Sequence, residues 1–444
     1  MKKDVSSENL KSNLTNLKSL KSISNNSRNS IESEQGSLTL SLIEEGKVKI
    51  YSYFGKISKK LPVFYNPIMK DNRTLTILVL KALGKNRLKI ALPLAASGIR
   101  GIRILKELPS EYVDGIFFND LNPKALEIIN RNLELNNIRL LSEKIKLSNE
   151  DARLFLLKNK PFDYIDIDPF GTPNPFLDSA ISSLKNNAIL AVTATDTAPL
   201  CGTYKNACIR KYWSIPLHNY LMNEMGLRIL IRKVQLVGLN YDFALLPIFS
   251  YAKDHYFRIF FKAVKSKQKA TEIFNQHKEL YFIDYQTLLS LDQKTLDQKT
   301  REKINSAKTG SKSNIFFVDN LFEFNPCLVG LLRNDKDKVK VIKFGPLWTG
   351  HLYDVEIVKT MLEHSQEYGE SLQKFLKIIL EEAKLNILGF YDIHILSKAL
   401  KKNPPKKSEL IKKLREESFL ASETHFNSTA IKTNAALNEI LKFF

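Results

Sequence analysis

The stretch LKIALPLAASGIRGIRILKE (88–107) joins an apolar run to an amphipathic segment through a turn of small residues. Its first part, LKIALPL (88–94), is typical of a strand buried on both faces of a parallel sheet. Three further runs of this kind follow: GIFF (115–118), FDYIDI (162–167) and NAILAVTA (187–194). Because amphipathic stretches lie between them, the pattern predicts a Rossmann-like, doubly wound α/β domain with a mostly parallel sheet.

One of the intervening stretches predicts a helix with a definite start. In NPKALEIINRNLELNN (122–137) the apolar residues recur at helical spacing. Pro123 suits the first helical turn, and Asn122 before it suits the N-cap.

The chain is long enough for two or three domains, since it has 444 residues. Residues 1–43 are rich in Ser, Asn and Lys and are expected to form a mobile polar tail. The α/β domain is predicted over 44–265, a polar lysine-rich insertion over 266–314, and a smaller α+β domain over 315–444.

Composition indicates the kind of partner. The chain is 43% hydrophobic and 26% charged, as in a soluble globular protein, and its formal net charge is +20. Such a surplus points to a polyanion, with nucleic acid favoured over a membrane, and KKNPPKKSELIKK (401–413) is a candidate contact. No apolar run is long enough to span a bilayer. We therefore expect a cytoplasmic monomer that binds no membrane.

Metal binding is not expected. Three cysteines fall short of a four-cysteine zinc site, and Cys201 and Cys208 lack the spacing of a zinc knuckle. The seven histidines show no recurrent ligand spacing.

The turn after the first predicted strand favours a ligand close to the backbone. Its small residues end in Gly98, and the following helix offers free N–H groups. The second predicted strand ends at Asp120, a carboxylate placed to accept both hydroxyls of a ribose. A helix N-cap is the competing interpretation of Asp120. The loop lacks the G-x-G-x-x-G pattern, so a nicotinamide-dependent oxidoreductase is the weakest of the enzyme hypotheses.

A third unit, NEDARLF (149–155), again sets an acid beside a small residue. Asp151 could accept from an adenine amino group while the Ala152 N–H donates to the ring. An N-cap role for Asp151 is equally compatible with the spacing. Together with Asp120, this unit favours an adenosine-bearing ligand.

The sharpest motif is FDYIDIDPFGTPNPF (162–176), in which Asp168-Pro169-Phe170-Gly171 follows an apolar strand. A carboxylate at this position can take the proton of an exocyclic amine of a nucleobase, whose lone pair is otherwise delocalised into the ring. Phe170 can stack on that base and hold it at the attack distance.

The chain resembles the tRNA guanosine-26 N2-dimethyltransferases. The resemblance rests on blocks that occur in family order and cover the chain from about Glu45 onward. These blocks are VFYNPIMKDNR (63–73), AASGIRGIR (95–103), NDLNP (119–123), DPFGTPNPFLDSA (168–180), TATDTAPLCGTYKNACIRKY (193–212), KDHYFR (253–258), GPLWTGHLYD (345–354) and THFNSTAIKT (424–433).

The resemblance implies transfer of two methyl groups from S-adenosylmethionine to one guanosine of tRNA, with residues 315–444 as a tRNA-binding domain. Arg73, with Arg103 or Arg100, would meet the methionine part of the cofactor. The ribose would fall to Asp120 and the adenine to Asp151 and Ala152. The target guanine would be held by Asp168 and Phe170.

Two other functions stay open. A methyltransferase of the same chemistry could act on guanine N2 of ribosomal RNA or adenine N6 of DNA. A non-catalytic RNA-binding protein could retain the fold, since Leu92-Pro93 and Thr74 stand where the family usually has acidic residues.

Overall fold

An antiparallel hairpin opens the part of the chain that the structure describes. In this computed structural model the described residues are 39–54, 61–139, 144–286, 289, 316–317, 321–323 and 341–444. The hairpin consists of β1 (Thr39–Glu45) and β2 (Val48–Phe54). The predicted tail therefore lies outside the described residues up to position 38, and its last residues belong to β1.

The hairpin is attached to the rest of the domain through asparagine side chains. Asn132 accepts from the Tyr51 N–H (2.6 Å) and donates Nδ2–H to the carbonyls of Tyr51 and Ser97 (both 3.0 Å). A side-chain amide thus takes the place of a neighbouring strand, satisfying buried backbone groups of β2. The same amide holds the turn that contains Ser97.

A seven-stranded sheet forms the centre of the α/β domain, with the strand order β5-β4-β3-β6-β7-β9-β8. The first five strands of that order are parallel, and β9 and β8 run antiparallel at one edge. The strands are β3 (Leu88–Leu92), β4 (Val113–Asn119), β5 (Ile145–Ser148), β6 (Phe162–Ile167), β7 (Leu184–Ala194), β8 (Phe243–Lys253) and β9 (Tyr256–Lys265).

Neighbouring residues of the parallel strands face different cores, so helices cover both faces of the sheet. Ile90 and Phe118 belong to one buried cluster, whereas Ala91 and Phe117 belong to the other. The doubly wound α/β prediction is thereby confirmed. The helices of this domain are α1 (Lys70–Leu83), α2 (Ile99–Glu107), α3 (Pro123–Leu135), α4 (Ala152–Asn159), α5 (Asn174–Ile181), α6 (Thr197–Leu200), α7 (Lys205–Tyr212) and α8 (Met222–Leu239).

The elements predicted from sequence periodicity are present. FDYIDI (162–167) is β6, and Asn122 caps α3 by accepting from the Lys124 N–H (3.1 Å).

The C-terminal part is a mixture of short sheets and helices. The sheets pair as β12-β10-β13, β11-β14 and β15-β17-β16. The strands are β10 (His277–Ile283), β11 (Phe316–Phe317), β12 (Leu321–Glu323), β13 (Val341–Trp348), β14 (Ile387–Leu388), β15 (Tyr391–Asp392), β16 (Ala421–Glu423) and β17 (Ala430–Thr433). The helices are α9 (Lys267–Asn275), α10 (Val355–Glu363), α11 (Glu370–Leu385), α12 (Ile393–Leu400), α13 (Lys407–Glu416) and α14 (Leu437–Leu441).

The segment between the two domains differs in part from its predicted character. Residues 266–314 are expected to be a polar insertion, yet α9 and β10 occupy 267–283, and β10 pairs with β13. The duplication at 291–300 lies outside the described residues.

Buried charges join α8 to the C-terminal part of the chain. Lys432 Nζ donates to Glu224 Oε2 (2.7 Å), and Arg228, one helical turn after Glu224, donates to the carbonyls of Trp348 (3.2 Å) and Gly350 (2.9 Å). Burial raises the pKa of Glu224, but the charges of Lys432 and Arg228 outweigh it, so that this pKa lies below its usual value.

Within the described ranges, no helix is long and apolar enough to cross a membrane.

A glycine in α2 allows the close approach of helix and sheet. A Cβ at Gly101 would overlap the Phe118 ring and lie 2.6 Å from Leu92 Cδ1. We predict that Gly101→Ala lowers the free energy of unfolding by about 1–3 kcal/mol, because overpacking exceeds the gain in helix propensity. Urea unfolding measures this change.

The matched control is Gly115→Ala in β4, where the new Cβ would meet Phe117 Cε2 at 3.3 Å, a much milder approach than the overlap at Gly101. Equal stability of the two variants would contradict the packing argument.

Candidate active site

The candidate site lies where the order of the parallel strands reverses. β3 has β4 on one side and β6 on the other, so the loops that leave β3 and β6 diverge and open a crevice at the carboxyl ends of the strands. Ligands of open α/β sheets bind in such crevices. A cavity of about 480 Å³ occupies this position, a volume within the usual range for small-molecule sites.

The cavity brings together residues predicted to bind the cofactor and residues predicted to hold the target base. Of the predicted residues, it is lined by Arg73, Arg100, Asp120, Asp168 and Phe170. Gly98 lies between the lining residues Ser97 and Ile99, whereas Arg103, Asp151 and Ala152 lie outside the lining.

The small-residue turn is shaped by Gly98 and fixed by Asp120. Gly98 has φ 75°, a conformation that favours glycine, and a Cβ there would lie 3.0 Å from Ile129. The Ala96 N–H donates to Asp120 Oδ2 (2.8 Å), and the Asn122 N–H donates to Asp120 Oδ1 (3.0 Å).

These bonds orient the Asp120 carboxylate at the cavity wall. A carboxylate oxygen can accept more than one hydrogen bond, so both oxygens retain capacity for a ligand's hydroxyl groups. The N-cap of the following helix is Asn122 rather than Asp120. The geometry at Asp120 therefore fits a ribose, and with it an adenosine-bearing ligand.

Asp151 has a different environment. Its side chain caps α4 by accepting from the Arg153 N–H (2.8 Å), and the Arg153 guanidinium also donates to both of its oxygens. The hydrogen bond from the Arg153 side chain leads the effects that lower the pKa of Asp151 to about 2. Asn149 Nδ2 donates to the Asp120 carbonyl (2.8 Å), so this loop is joined to the ribose-accepting residue. The prediction that Asp151 and Ala152 meet an adenine stays a prediction.

Asp168 is held in place by a buried charge network. Arg100 Nη2 forms an ion pair with Asp168 Oδ2, and Arg100 Nε lies 3.5 Å from Asp166 Oδ2. Arg258, which is fully buried in β9, donates to both oxygens of Asp166 (2.9 and 2.7 Å). Asp168 Oδ1 makes no hydrogen bond with any described residue, and it remains available to a ligand in the cavity.

The network keeps Asp166 ionised. Burial raises the pKa of this carboxyl, but the charges of Arg100 and Arg258 and a hydrogen bond from Tyr164 (2.6 Å) lower it below its usual value. Since Asp166 shares one charge between two arginines, Arg100 has a cationic charge left for Asp168.

Phe170 and its loop form the opposite wall. The Phe170 side chain is 44% exposed, and its ring meets the Phe64 ring edge to face at a centroid distance of 4.2 Å. The Gly171 N–H donates to Thr195 Oγ1 (2.7 Å), and the Thr195 N–H donates to the Gly171 carbonyl (2.9 Å). These two hydrogen bonds to the residue that follows β7 fix the loop, and they hold Phe170 at the wall of the cavity.

A second buried network holds Arg73 at the cavity. Arg73 Nε donates to Glu45 Oε1 (2.7 Å), and its Nη2 donates to Glu45 Oε2 (2.5 Å). Arg103 also binds Glu45 (2.9 Å), together with Thr74 (3.0 Å) and Glu107 (2.6 Å). Arg103 is fully buried, so the structure places its guanidinium behind Arg73 rather than at the cavity wall.

Several residues of the site were not predicted as site residues. They are Glu45, Phe64, Asp166, Thr195 and Arg258. Asp166 and Arg258 carried a usable signal, because a charge inside an apolar strand must find a buried partner. For Glu45 and Thr195 no sequence pattern indicated a role in the site.

Comparison with known proteins identifies the family. The model of the family N2,N2-dimethylguanosine tRNA methyltransferase matches residues 39–444. A tRNA (guanine(26)-N(2))-dimethyltransferase of Pyrococcus furiosus is 37% identical over 90% of this chain and 97% of its own length. A tRNA (guanine(26)-N(2)/guanine(27)-N(2))-dimethyltransferase of Aquifex aeolicus is 34% identical over 91% and 95%.

A solved structure is similar over nearly the same span. Trm1 from Pyrococcus horikoshii in complex with S-adenosyl-L-methionine aligns with a TM-score of 0.71 and 33% identity, covering 91% of this chain and 99% of that one. The fold and the cavity at its switch point define an S-adenosylmethionine-dependent methyltransferase. Within that class, the chain belongs to the N2,N2-dimethylguanosine tRNA methyltransferase family.

Glu45 offers a test of the second network. Burial raises its pKa, but hydrogen bonds and charges from Arg73 and Arg103 lower it below the usual value. Its ionised form therefore stabilises the fold above the unfolded-state pKa, about 4.3, and this contribution is lost as the pH falls through the lower folded-state pKa. We predict that Glu45→Gln costs about 3–5 kcal/mol of unfolding free energy at pH 7, because a buried ion pair loses one partner.

Urea unfolding at pH 7 and pH 4 measures the effect. The difference in unfolding free energy between the wild type and Glu45→Gln should be smaller at pH 4. The control is Glu44→Gln, whose exposed carboxylate pairs with Lys49 at the surface. A loss that is the same at both pH values would show that the carboxylate charge is not its source.

Proposed function

We propose that this protein transfers two methyl groups, one after the other, from S-adenosylmethionine to N2 of guanosine 26 in tRNA. The observation that carries the proposal is the position of Asp168: it follows β6, is held by Arg100, lines the cavity beside Phe170, and has one oxygen that makes no hydrogen bond with a described residue. Family membership supplies the substrate class, and the curated relatives named above carry this activity in their names.

The residues at the cavity fit the methyl donor. Asp120 would take the two ribose hydroxyls, and the turn at Gly98 lets the donor lie against the backbone. Arg73 would meet the carboxylate of the methionine part, with Arg103 as its support through Glu45. Asp151 and Ala152 would meet the adenine after the hydrogen bonds from the Arg153 guanidinium to Asp151 break. When bound, S-adenosylmethionine supplies an electrophilic methyl group on a sulfonium centre.

The chain's own residues prepare the guanine for attack. Asp168 Oδ1 accepts an N2–H, which raises the electron density of the amine and gives the proton a destination as the new C–N bond forms. Phe170 stacks on the base and supplies part of the energy needed to take it out of its own stack. Because Arg100 fixes the carboxylate, little reorganisation is needed at the moment of transfer.

The second transfer needs space for the first methyl group. The walls formed by Phe64, Phe170 and Phe176 are apolar and accept a methyl group without loss of a hydrogen bond. After the first transfer, N2 still carries one hydrogen, and Asp168 can hold it in the same way.

The tRNA would be bound mainly through its phosphates, consistent with the net charge of +20. In the predicted basic contact at 401–413 some of the charge is neutralised locally, since Lys406, Lys407 and Lys412 pair with glutamates. Lys401 and Lys402 are exposed and make no ion pair with a described residue. The cytoplasmic location and the monomeric state stay predictions.

The first test is the product of the wild-type protein. Purified tRNA without the modification is incubated with the protein and S-adenosylmethionine, then digested, and its nucleosides are identified by mass spectrometry. N2,N2-dimethylguanosine at position 26 is expected, and a tRNA with adenosine at position 26 shows whether a guanosine at 27 is also used. Modification of ribosomal RNA or DNA instead, or none at all from folded protein, would overturn the proposal.

We predict that Asp168→Asn lowers kcat by about 10²- to 10⁴-fold, since the amide cannot take the proton. The Kd for S-adenosylmethionine should stay near the wild-type value because Asp120 and the turn at Gly98 are unchanged. Single-turnover methylation and calorimetry measure the two effects. The matched control is Asp163→Asn in β6, a carboxylate that pairs with Lys185 (2.7 Å) outside the cavity lining, and this change should leave kcat unchanged. Rapid transfer by Asp168→Asn would remove Asp168 from the mechanism.

Phe170→Ala should lower kcat/KM for tRNA by roughly 5- to 150-fold, the effect of about 1–3 kcal/mol of lost base stacking. Phe170→Tyr should recover most of it. The control is Phe274→Ala, which removes another exposed phenylalanine ring (55% exposed) from α9, outside the cavity lining. If the alanine variant at 170 retained full activity, the guanine would not stack there.

A further inference from the structure

A ridge of exposed apolar and cationic side chains runs along α7. Tyr204, Ile209 and Trp213 are 63%, 39% and 55% exposed. Lys205, Ile209 and Trp213 follow one another at four-residue spacing, so the first two share one side of the helix and Trp213 continues it at the end. Large apolar groups in water next to unpaired cations are a combination found at nucleic-acid surfaces.

Trp213 occupies a backbone position that favours glycine. It is the C-cap of α7 with φ 55°, and among the described non-glycine residues with positive φ it is the one aromatic residue. Such a conformation is unfavourable for a bulky side chain, and strain of this kind concentrates at functional sites. A glycine would end the helix with less strain. The backbone conformation therefore does not account for a tryptophan at this position, and its ring does.

Two cations lie under Trp213. Lys233 Nζ is 3.0 Å from the centroid of the indole ring, and Arg232 Nη1 donates to the Trp213 carbonyl (3.1 Å). Lys233 is only 6% exposed, and neither residue forms an ion pair with a described carboxylate. Burial, together with the charge of Arg232, lowers the pKa of Lys233 to about 8. Adjacent cations without a counterion favour the approach of an anion.

The ridge is fixed to the loop that carries the target-binding residues. Asn174 Nδ2 donates to the Lys211 carbonyl (2.9 Å), and the Tyr212 hydroxyl lies 3.0 Å from Thr172 Oγ1. Thr172 is two residues after Phe170. The end of α7 is therefore rigidly joined to the wall of the guanine pocket.

We infer that Trp213 is a stacking platform for a nucleotide of the tRNA that flanks the methylated guanosine, and that Arg232, the partly exposed cation of the two, binds a phosphate next to it. The inference rests on the proposed function and adds to it a surface outside the cavity. Base stacking on an aromatic ring beside cations holds single-stranded or splayed nucleotides. A guanosine that leaves its stack exposes its neighbour, and Trp213 can cover that neighbour.

The first test uses the wild-type protein. The chain has two tryptophans, Trp213 and Trp348, and Trp348 is only 3% exposed. Acrylamide quenching of the fluorescence therefore reports mainly on Trp213. Saturating unmodified tRNA should protect it from acrylamide, whereas S-adenosylmethionine alone should not. Undiminished quenching in the tRNA complex would overturn the inference.

The second test separates binding from folding. Trp213→Gly relieves the backbone strain, so the thermal midpoint should not fall by more than a degree or two, while KM for tRNA rises roughly 5- to 150-fold with an unchanged KM for S-adenosylmethionine. Trp213→Phe should restore most of the affinity. A wild-type KM for tRNA in Trp213→Gly would contradict the role of the ring.

The third test addresses the phosphate. Arg232→Met keeps most of the length of the side chain and removes the charge. The slope of log K for tRNA against log salt should become shallower by roughly 0.7–0.9, the effect of one lost phosphate contact. Trp213→Phe should keep the wild-type slope, and an unchanged slope in Arg232→Met would remove the phosphate from the inference.

These tests are distinct from a failure of the proposed function. If the wild-type protein forms no dimethylguanosine, the activity assigned above is wrong, whereas the quenching and salt-slope results still decide whether RNA covers Trp213.

Discussion

The pairing of Asp166 with Arg258 is the interaction on which the site depends. It joins the end of β6 to β9, two strands that are not neighbours in the sheet, and Arg258 also reaches Thr193 of β7 (2.9 Å) between them. Burying a charge costs desolvation free energy, and each charge of this pair compensates that cost for the other. Removal of either residue would leave an unpaired buried charge. Arg100 completes the arrangement, and through it the position of Asp168 follows from the packing of the sheet.

The same construction occurs on the other side of the cavity. Glu45, which comes from the hairpin at the start of the α/β domain, accepts from Arg73 of α1 and Arg103 of α2. In both networks one buried carboxylate serves two arginines, and one arginine of each pair reaches the cavity. The site is thus lined by charged groups whose positions are set by a second layer of buried charges, an arrangement that limits their freedom to reorient in response to a ligand.

Much of this could be predicted from sequence, and the limits have physical reasons. Apolar periodicity located β6, and the position of Asp168 at its end followed directly, since parallel strands place their carboxyl ends at one edge. Arg258 could not be assigned to Asp166, because the two residues are 92 positions apart and no local pattern joins them. For Asp151 the spacing left an N-cap and an adenine contact open, and the structure shows the cap. In α9 only Ala270 and Ile273 are buried, so the helix resembled an exposed insertion.

The buried contact of Glu224 with Lys432 has a consequence for how the whole molecule meets its substrate. Because opening the joint between the domains would expose or unpair these charges, a hinge at this place is energetically unfavourable. The α/β sheet and the C-terminal part are thereby held at a fixed separation. If residues 315–444 bind the tRNA as predicted, the nucleotide that enters the pocket would be the one that lies at this distance from the bound segment. A tRNA with an insertion between these two points would then present a different nucleotide.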